Sequence, residues 1–421
     1  MEKAAPFLEV DGDPYPAVVG GKVVWLLDGY TTSDAYPYAE QRELGATTQD
    51  SLTGTGTVAL PNDQFNYIRN SVKATVDAYD GTVTLYQWDE ADPVLATYMK
   101  AFPGVVKPKS DMSTELQSHV RYPEDLFKLQ RDILTRYHVT DPGDFYNQND
   151  RWQVPDDPTR DTSEAQPPYY ILATRPGDDA PSFQLTSALN AFSRENLSAF
   201  ISANSDPAAY GQIQVLRLPG NTPYRGPQQV QQSFITNNQV RPELTLFDSE
   251  NSEAVFGNLL TLPIGDSGLL YVEPLYVRGT GENSFPLLQK VLVNFGDRVG
   301  YADTLAEALN QVFGPGAGEA AADSDPAAPA PPETPAPSGG AEPTAPAPAP
   351  APDGGGTSGS PSLDQAVSSI NSALTALAAA QRAGDFAGIG QAQSDLQAAI
   401  QAYEAATAAP ASPAAPAPPT D

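Results

Sequence analysis

Lys22-Val-Val-Trp-Leu-Leu-Asp-Gly-Tyr-Thr-Thr-Ser-Asp-Ala-Tyr-Pro-Tyr38 opens apolar and turns polar at Asp28. Val23–Leu27 reads as a buried strand. The eleven residues that follow hold three tyrosines, two aspartates and three hydroxyl side chains. Such polarity at a strand's carboxyl end reads as an exposed turn and a working surface. Its candidate functional residues are Asp28, Tyr30, Thr31, Ser33, Asp34 and Tyr36. A strand-end Asp with a second Asp nearby suits an acid/base pair or a cation. The simpler reading is a turn in which Asp and Ser side chains cap backbone N–H groups.

Around that stretch the first 315 residues mix strands and helices. Val72, Ala74, Val76 and Ala78 alternate, Asp80-Gly81 supplies a type I′ turn signal, and Thr82–Trp88 returns as the second arm of a hairpin. Pro93–Phe102 reads as a short helix. Pro123 suits the first helical position of Glu124–Tyr137, where Leu126, Gln130, Ile133, Leu134 and Tyr137 share an expected core face. Tyr169–Ala173, Gln212–Leu218 and Leu287–Phe295 read as strands, and Asn258–Pro263 with Gly268–Val277 as a second hairpin. Gln228–Thr236 and Thr304–Phe313 read as helices. Strands and helices do not alternate strictly, so the fold class is α+β rather than a doubly wound sheet.

Composition shifts near Gly314. Residues 316–361 hold 12 prolines among Ala, Gly, Ser and acids, the make-up of a disordered tether. Beyond it, Leu363, Val367, Ile370, Leu374 and Leu377 form one helical stripe, and Ile389, Leu396, Ile400 and Tyr403 another. With a turn at Gly384-Asp385-Phe386, residues 362–406 are expected as an antiparallel helical hairpin that docks on a partner. Residues 407–421 form a second disordered tail. The expected organisation is thus 1–315, 316–361, 362–406 and 407–421.

The chain carries 23 Lys and Arg against 52 Asp and Glu, a formal charge of −29. Such acidity disfavours phosphate backbones and anionic lipid surfaces, so neither nucleic acid nor direct membrane insertion is expected. The absence of cysteine excludes disulfides, thiolate catalysis and Cys-based zinc sites. No run approaches the ~20 apolar residues of a membrane helix. No signal peptide opens the chain, and Met1 reads as if it starts in mid-protein. No Walker or G-x-G-x-x-G motif is present, and Asp11-Gly-Asp13 lacks EF-hand spacing, so no cofactor or metal is expected.

Gly265-Asp-Ser-Gly268 matches the nucleophile tetrapeptide of chymotrypsin-like proteases, yet it is also a good four-residue hairpin turn and lacks a positioned His. His119, beside Arg121 and just before a helix, is a candidate general base or anion contact. His138 reads as a helix C-terminal residue suited to the dipole. Arg69 and Lys73 open the first hairpin and are expected in surface ion pairs.

Several long segments resemble one family. They are Pro14-Tyr-Pro16, the Val24–Asp34 run, Tyr67–Tyr86, His119–Phe127, Arg136-Tyr-His138, Gly257–Pro263, Leu270–Tyr276 and the Gly384-Asp-Phe386 turn. The chain resembles the extracytoplasmic part of uncharacterised protein family 0182 of the UPF series, large actinobacterial membrane proteins. The resemblance implies membrane-spanning helices upstream, so that this chain would be a fragment or a truncated gene product. It implies a place on the extracytoplasmic face of the cell membrane. The implied partner is the membrane-spanning part of the full-length protein or another envelope protein. It carries over no catalytic residue. The expected function is therefore a non-enzymatic binding or assembly role at the envelope. Its rivals are an envelope hydrolase or transferase using Asp28, Asp34 and His119, and a solute-capture domain of a transporter. The hydrolase needs those side chains in one cleft, and the capture domain needs an aromatic-lined pocket.

Overall fold

The computed structural model describes residues 1–318, apart from 55–57, 59, 62, 161–162, 179, 250, 265–267 and 282–283, together with residues 369, 372, 395, 398 and 399. The chain divides into two compact units, residues 1–331 and 332–421. The expected tether beyond Gly318, the helical hairpin and the tail lie outside the described residues, those five positions aside. Residues 316–318 still turn back on the last helix, where Gly318 N donates to Asn310 Oδ1 at 2.9 Å.

The first unit is α+β, with three larger antiparallel-dominated sheets and a two-stranded one, Arg42–Glu43 with Gln64–Phe65. In the first, strand Lys22–Ser33 pairs with Tyr67–Asp77, which pairs with Val83–Gln87. Tyr15–Val19 and Glu9–Val10 pair with Lys22–Ser33 over different stretches, and Val106–Lys107 adds a short parallel edge. The second sheet runs Tyr169–Ala173, Ser182–Ala191, Asn196–Asn204, Ile213–Arg217. The third runs Ser252–Phe256, Gly268–Gly279, Leu287–Phe295, Arg298–Ala302, with Leu260–Ile264 also on Gly268–Gly279.

Two local expectations change. Lys22–Ser33 does not end at Leu27: it continues for six residues past it, with a bulge between Gly29 and Tyr30. The polar residues stay in the ladder because partners across the sheet satisfy them, as described below. The first hairpin forms, but not on a type I′ turn, which needs positive φ at both central residues. Only Gly81 is left-handed there (φ 73°), and its N–H donates to Asp77 O at 2.9 Å in a longer turn. In the second hairpin Ile264 faces Gly268, and the intervening Gly265–Ser267 lies outside the described residues.

Helix Glu124–Tyr137 lies between the first two sheets. Phe127 packs with Leu185, Leu189, Ala199 and Ile201 of the second sheet, and Leu129 with Tyr30, Leu44 and Phe65. Pro123 stands just before the helix, in extended backbone. The expected core face is displaced. Leu126, Gln130, Ile133 and Leu134 are half-buried and Tyr137 is exposed, while Lys128 and Arg131 go fully inside.

Helix Leu305–Phe313 closes the third sheet, with Ala308 and Val312 packed on Val291, Val293 and Ala302. Gly300 makes that approach possible: a Cβ there would lie 2.2 Å from Ala308 O. Gly300→Ala is therefore expected to lower stability by roughly 1–3 kcal/mol through overpacking. Urea denaturation checks this, and an unchanged midpoint would show that the helix shifts freely.

Candidate functional site

Asp28 faces Lys73 directly across the sheet, and both are buried. The Lys73 ammonium pairs with Asp28 Oδ1. It also donates to Tyr210 OH at 2.8 Å and to Arg121 O at 3.2 Å. Asn70 Nδ2 donates to Asp28 at 2.8 Å. Burial pushes Asp28 up to about 6 against the pull of Lys73, and the same burial holds Lys73 below the usual lysine range. Three residues on from Asp28, Thr31 Oγ1 donates to Asp92 at 2.7 Å. Asp92 also accepts from Ser71 Oγ, Tyr67 OH, Val94 N and Leu95 N, capping helix Pro93–Ala101. Burial opposes its charge, yet these bonds hold its carboxyl below the usual range.

Tyr30 is buried and donates to Asp11. Its hydroxyl also accepts from Leu126 N at 3.3 Å, in the first turn of helix Glu124–Tyr137. Asp125 N donates to Asp11 at 3.2 Å, and Gly12 N donates to Asp125 at 2.9 Å. Lys128 lies between Asp50 (2.6 Å), Glu124 (2.9 Å) and Asp125 (3.7 Å), all buried. Burial pushes Glu124 up to about 7 and Asp125 up to about 8, the latter helped by Asp11. This interior is ionic but closed. It braces the helix start against two loops rather than opening onto solvent.

The open surface lies alongside. After Ser33 the chain forms a loop rich in tyrosine. Asn66 fixes it: Tyr36 N donates to Asn66 Oδ1 at 2.9 Å, and Asn66 Nδ2 donates to Tyr36 O at 2.8 Å. The Tyr36 ring stacks with Tyr67 at 5.8 Å. Tyr38 is fully exposed at φ 62°, a backbone that a bulky residue adopts only when its surroundings enforce it. Between this loop, the start of strand Tyr67–Asp77 and the helix face of Leu129, Ile133 and Tyr137 lies a cleft of about 560 Å³. Its charges are paired. Arg42 meets Asp132 and Glu40, Glu40 accepts from Tyr137 OH at 2.7 Å, and Arg69 meets Asp89 at 2.9 Å.

The sequence-predicted residues thus separate into two groups. Asp28, Tyr30 and Thr31 are interior, not an exposed turn, because the strand runs through them. Ser33 Oγ accepts from Ala35 N at 3.1 Å as a local cap. Asp34 and Tyr36 are exposed at the cleft's end of the strand. Asp28 and Asp34 are not a pair: six extended residues separate them by roughly 20 Å. His119 is an exposed residue closing the short helix Thr114–Ser118. Arg121 does come to Asp28, through its backbone carbonyl and Lys73, while its guanidinium lies over the Tyr15 ring at 4.5 Å. Lys73 is no surface pair, contrary to expectation. His138 does end the helix, with Nδ1 2.6 Å from Leu134 O, and its ring stacks on Trp152.

The residues that sequence reasoning missed are Lys73, Asp92, Lys128 and Tyr67. Asp92 carried a usable signal, standing before Pro93 as an N-cap should. Among the described residues no group of three or more His, Asp or Glu side chains is arranged to hold a metal ion. Nor is any helix among them long and apolar enough to cross a membrane.

The model of the uncharacterised protein family UPF0182 matches residues 1–247. A UPF0182 protein of Saccharopolyspora erythraea is 50% identical over 410 residues, covering 96% of this chain and 41% of that protein. One from Rhodococcus erythropolis is 49% identical over 409 residues, with the same coverages of 96% and 41%. A Frankia alni relative is 54% identical over 324 residues, 76% of this chain and 31% of that protein. The chain spans about two fifths of the length of the first two relatives. No solved structure matches it. With more than half its length matched by the family model and with these relatives, the chain belongs to uncharacterised protein family UPF0182.

Proposed function

We propose that this chain is a non-catalytic binding domain on the extracytoplasmic face of the cell membrane, where it captures a small solute. The observation that carries the reading is the aromatic cleft. Its volume falls in the range of small-molecule sites, and its lining combines rings with a few placed polar groups. The Asn66 bonds hold its loop ready, which lowers the ordering cost of binding. The separation of Asp28, Asp34 and His119 supports binding over hydrolysis. The resemblance supports the envelope location. Residues 316–361 would act as a tether and 362–406 as a helical hairpin docking on the membrane-spanning part or another envelope protein.

The test is thermal shift with sugars, amino acids and nucleosides. A ligand at about 100 times its dissociation constant adds ~2.7 kcal/mol to stability. Tyr67→Ala is expected to remove that gain; the variant also loses the bond to Asp92 and about 1–3 kcal/mol of stability, so each shift is read against the same protein without ligand. A shift of equal size in the variant places binding elsewhere. For location, an epitope in residues 1–318 of the full-length protein should be reachable by antibody on intact spheroplasts, and inaccessibility refutes it.

A further inference from the structure

The cleft does not end at Arg69. Ile68 and Arg69 also wall a second cavity of about 360 Å³, lined by Asn70, Trp88, Tyr122, Leu126, Gln130 and others. The two lie along one helix face. Leu126 and Gln130 belong to the second cavity, and Ile133 and Tyr137 to the first. From Leu126 to Tyr137 the helix rises roughly 16 Å. Arg69 stands between them, tied to Asp89 and 5.9 Å from the Tyr67 ring centre.

Asn70 borders the second cavity but is nine-tenths buried, with its Nδ2 on Asp28 and its Oδ1 closed off from solvent. Across the cavity the Gln130 amide, whose Oε1 accepts from Tyr122 OH at 2.7 Å, supplies a planar polar group.

We infer that the joined cavities bind a neutral oligosaccharide, with its first rings against Tyr36 and Tyr67 and a later ring at the Gln130 amide. The inference rests on the binding reading above and names its ligand class. Sugar rings present a flat C–H face to an aromatic ring and hydroxyls at the rim to amides and carboxylates, and both kinds of partner line this groove. Neutrality follows from the charges. Arg42, Arg69 and Glu40 are each already paired, and the chain's −29 disfavours anionic glycans. The groove's length suits several rings rather than one.

The experiment is calorimetric titration of the whole chain with glucose, maltose and maltotetraose, with cellobiose and cellotetraose, and with an uncharged tetrapeptide. One tetrasaccharide is expected to bind at least tenfold tighter than its disaccharide. Gln130→Ala should cut tetrasaccharide affinity about tenfold and leave the disaccharide unchanged. Equal affinity for di- and tetrasaccharide, or a Gln130→Ala variant that binds both as wild type does, overturns the two-cavity inference. Binding of the peptide but no saccharide overturns the ligand class and leaves the capture reading standing. Saccharide binding that Tyr67→Ala does not weaken overturns both.

Discussion

Lys128→Met is expected to cost about 3–5 kcal/mol at neutral pH, the usual penalty for removing one partner of a buried ionic group. Methionine keeps most of the lysine stem's volume, so lost packing is a minor part. What changes is charge. Lys128 is fully buried between Asp50, Glu124 and Asp125, and without it three buried carboxyls face one another. For a body of this size the melting temperature should fall on the order of 10 °C. Lowering the pH protonates Glu124 and Asp125, which burial already pushes up to about 7 and 8, and so removes repulsion; the deficit should shrink between pH 7.5 and pH 5. Lys22, exposed and 3.4 Å from Asp77, is the control: Lys22→Met should cost under about 1 kcal/mol. Thermal melts of the three proteins at both pH values decide it. A Lys128→Met deficit no larger than the control's, or one that widens in acid, would mean the interior rearranges around the missing charge.

That same cluster explains where sequence reasoning stopped. The class α+β, both hairpins and strand Leu287–Phe295 were legible because their apolar residues follow the period of their element. Strands Ser182–Ala191 and Asn196–Asn204 were not. They are the centre of the second sheet, buried along nearly their whole length, yet they carry Gln184, Thr186, Ser187, Asn190, Ser202 and Asn204 inside. Alternation is lost when both faces are covered. The helix Glu124–Tyr137 misled for a related reason. Its apolar stripe looked like the core face, but carboxylates around Lys128, and Gln166 O and Ser187 Oγ accepting from Arg131, let both go inside and left Leu126, Ile133 and Tyr137 to wall the two cavities. At Asp28 the turn-like composition was real, but composition does not show that a lysine faces it across the sheet. Only the register does, and register belongs to the pairing of two distant segments. The aromatic loop was legible in part: Tyr36 was singled out, whereas Tyr67 and Tyr137 come from elements whose convergence no local pattern records.

Raising the pH from 5.5 to 8.5 is expected to destabilise the protein, with Glu273 a main cause. Glu273 is fully buried, opposite Leu292 in the third sheet, and among the described residues neither carboxyl oxygen meets a donor in good hydrogen-bond geometry. Burial pushes its carboxyl well above the usual range, and Asp157 pushes it further, with only the nearby Gln231 side chain acting the other way. Asp28, Glu124 and Asp125 are raised too, to about 6, 7 and 8. All four ionise near pH 4 when unfolded. Between that value and their folded values the native state holds more protons than the unfolded one. Stability therefore falls as pH rises through the window, by up to about 1.4 kcal/mol per unit for each group still titrating. Asp92, held below its usual value, acts only below that window. Surface repulsion from the net charge acts in the same direction, so the melts belong in high salt, where it is screened. Glu273→Gln preserves size and removes the proton equilibrium. The variant should be more stable than wild type at pH 8.5, by less at pH 5.5, and shallower in slope between them. A wild type that gains stability with rising pH contradicts the whole set of raised carboxyls. A Glu273→Gln variant that is weaker at pH 8.5 contradicts Glu273 alone, since it would mean the ionised carboxylate has a partner that the amide cannot replace.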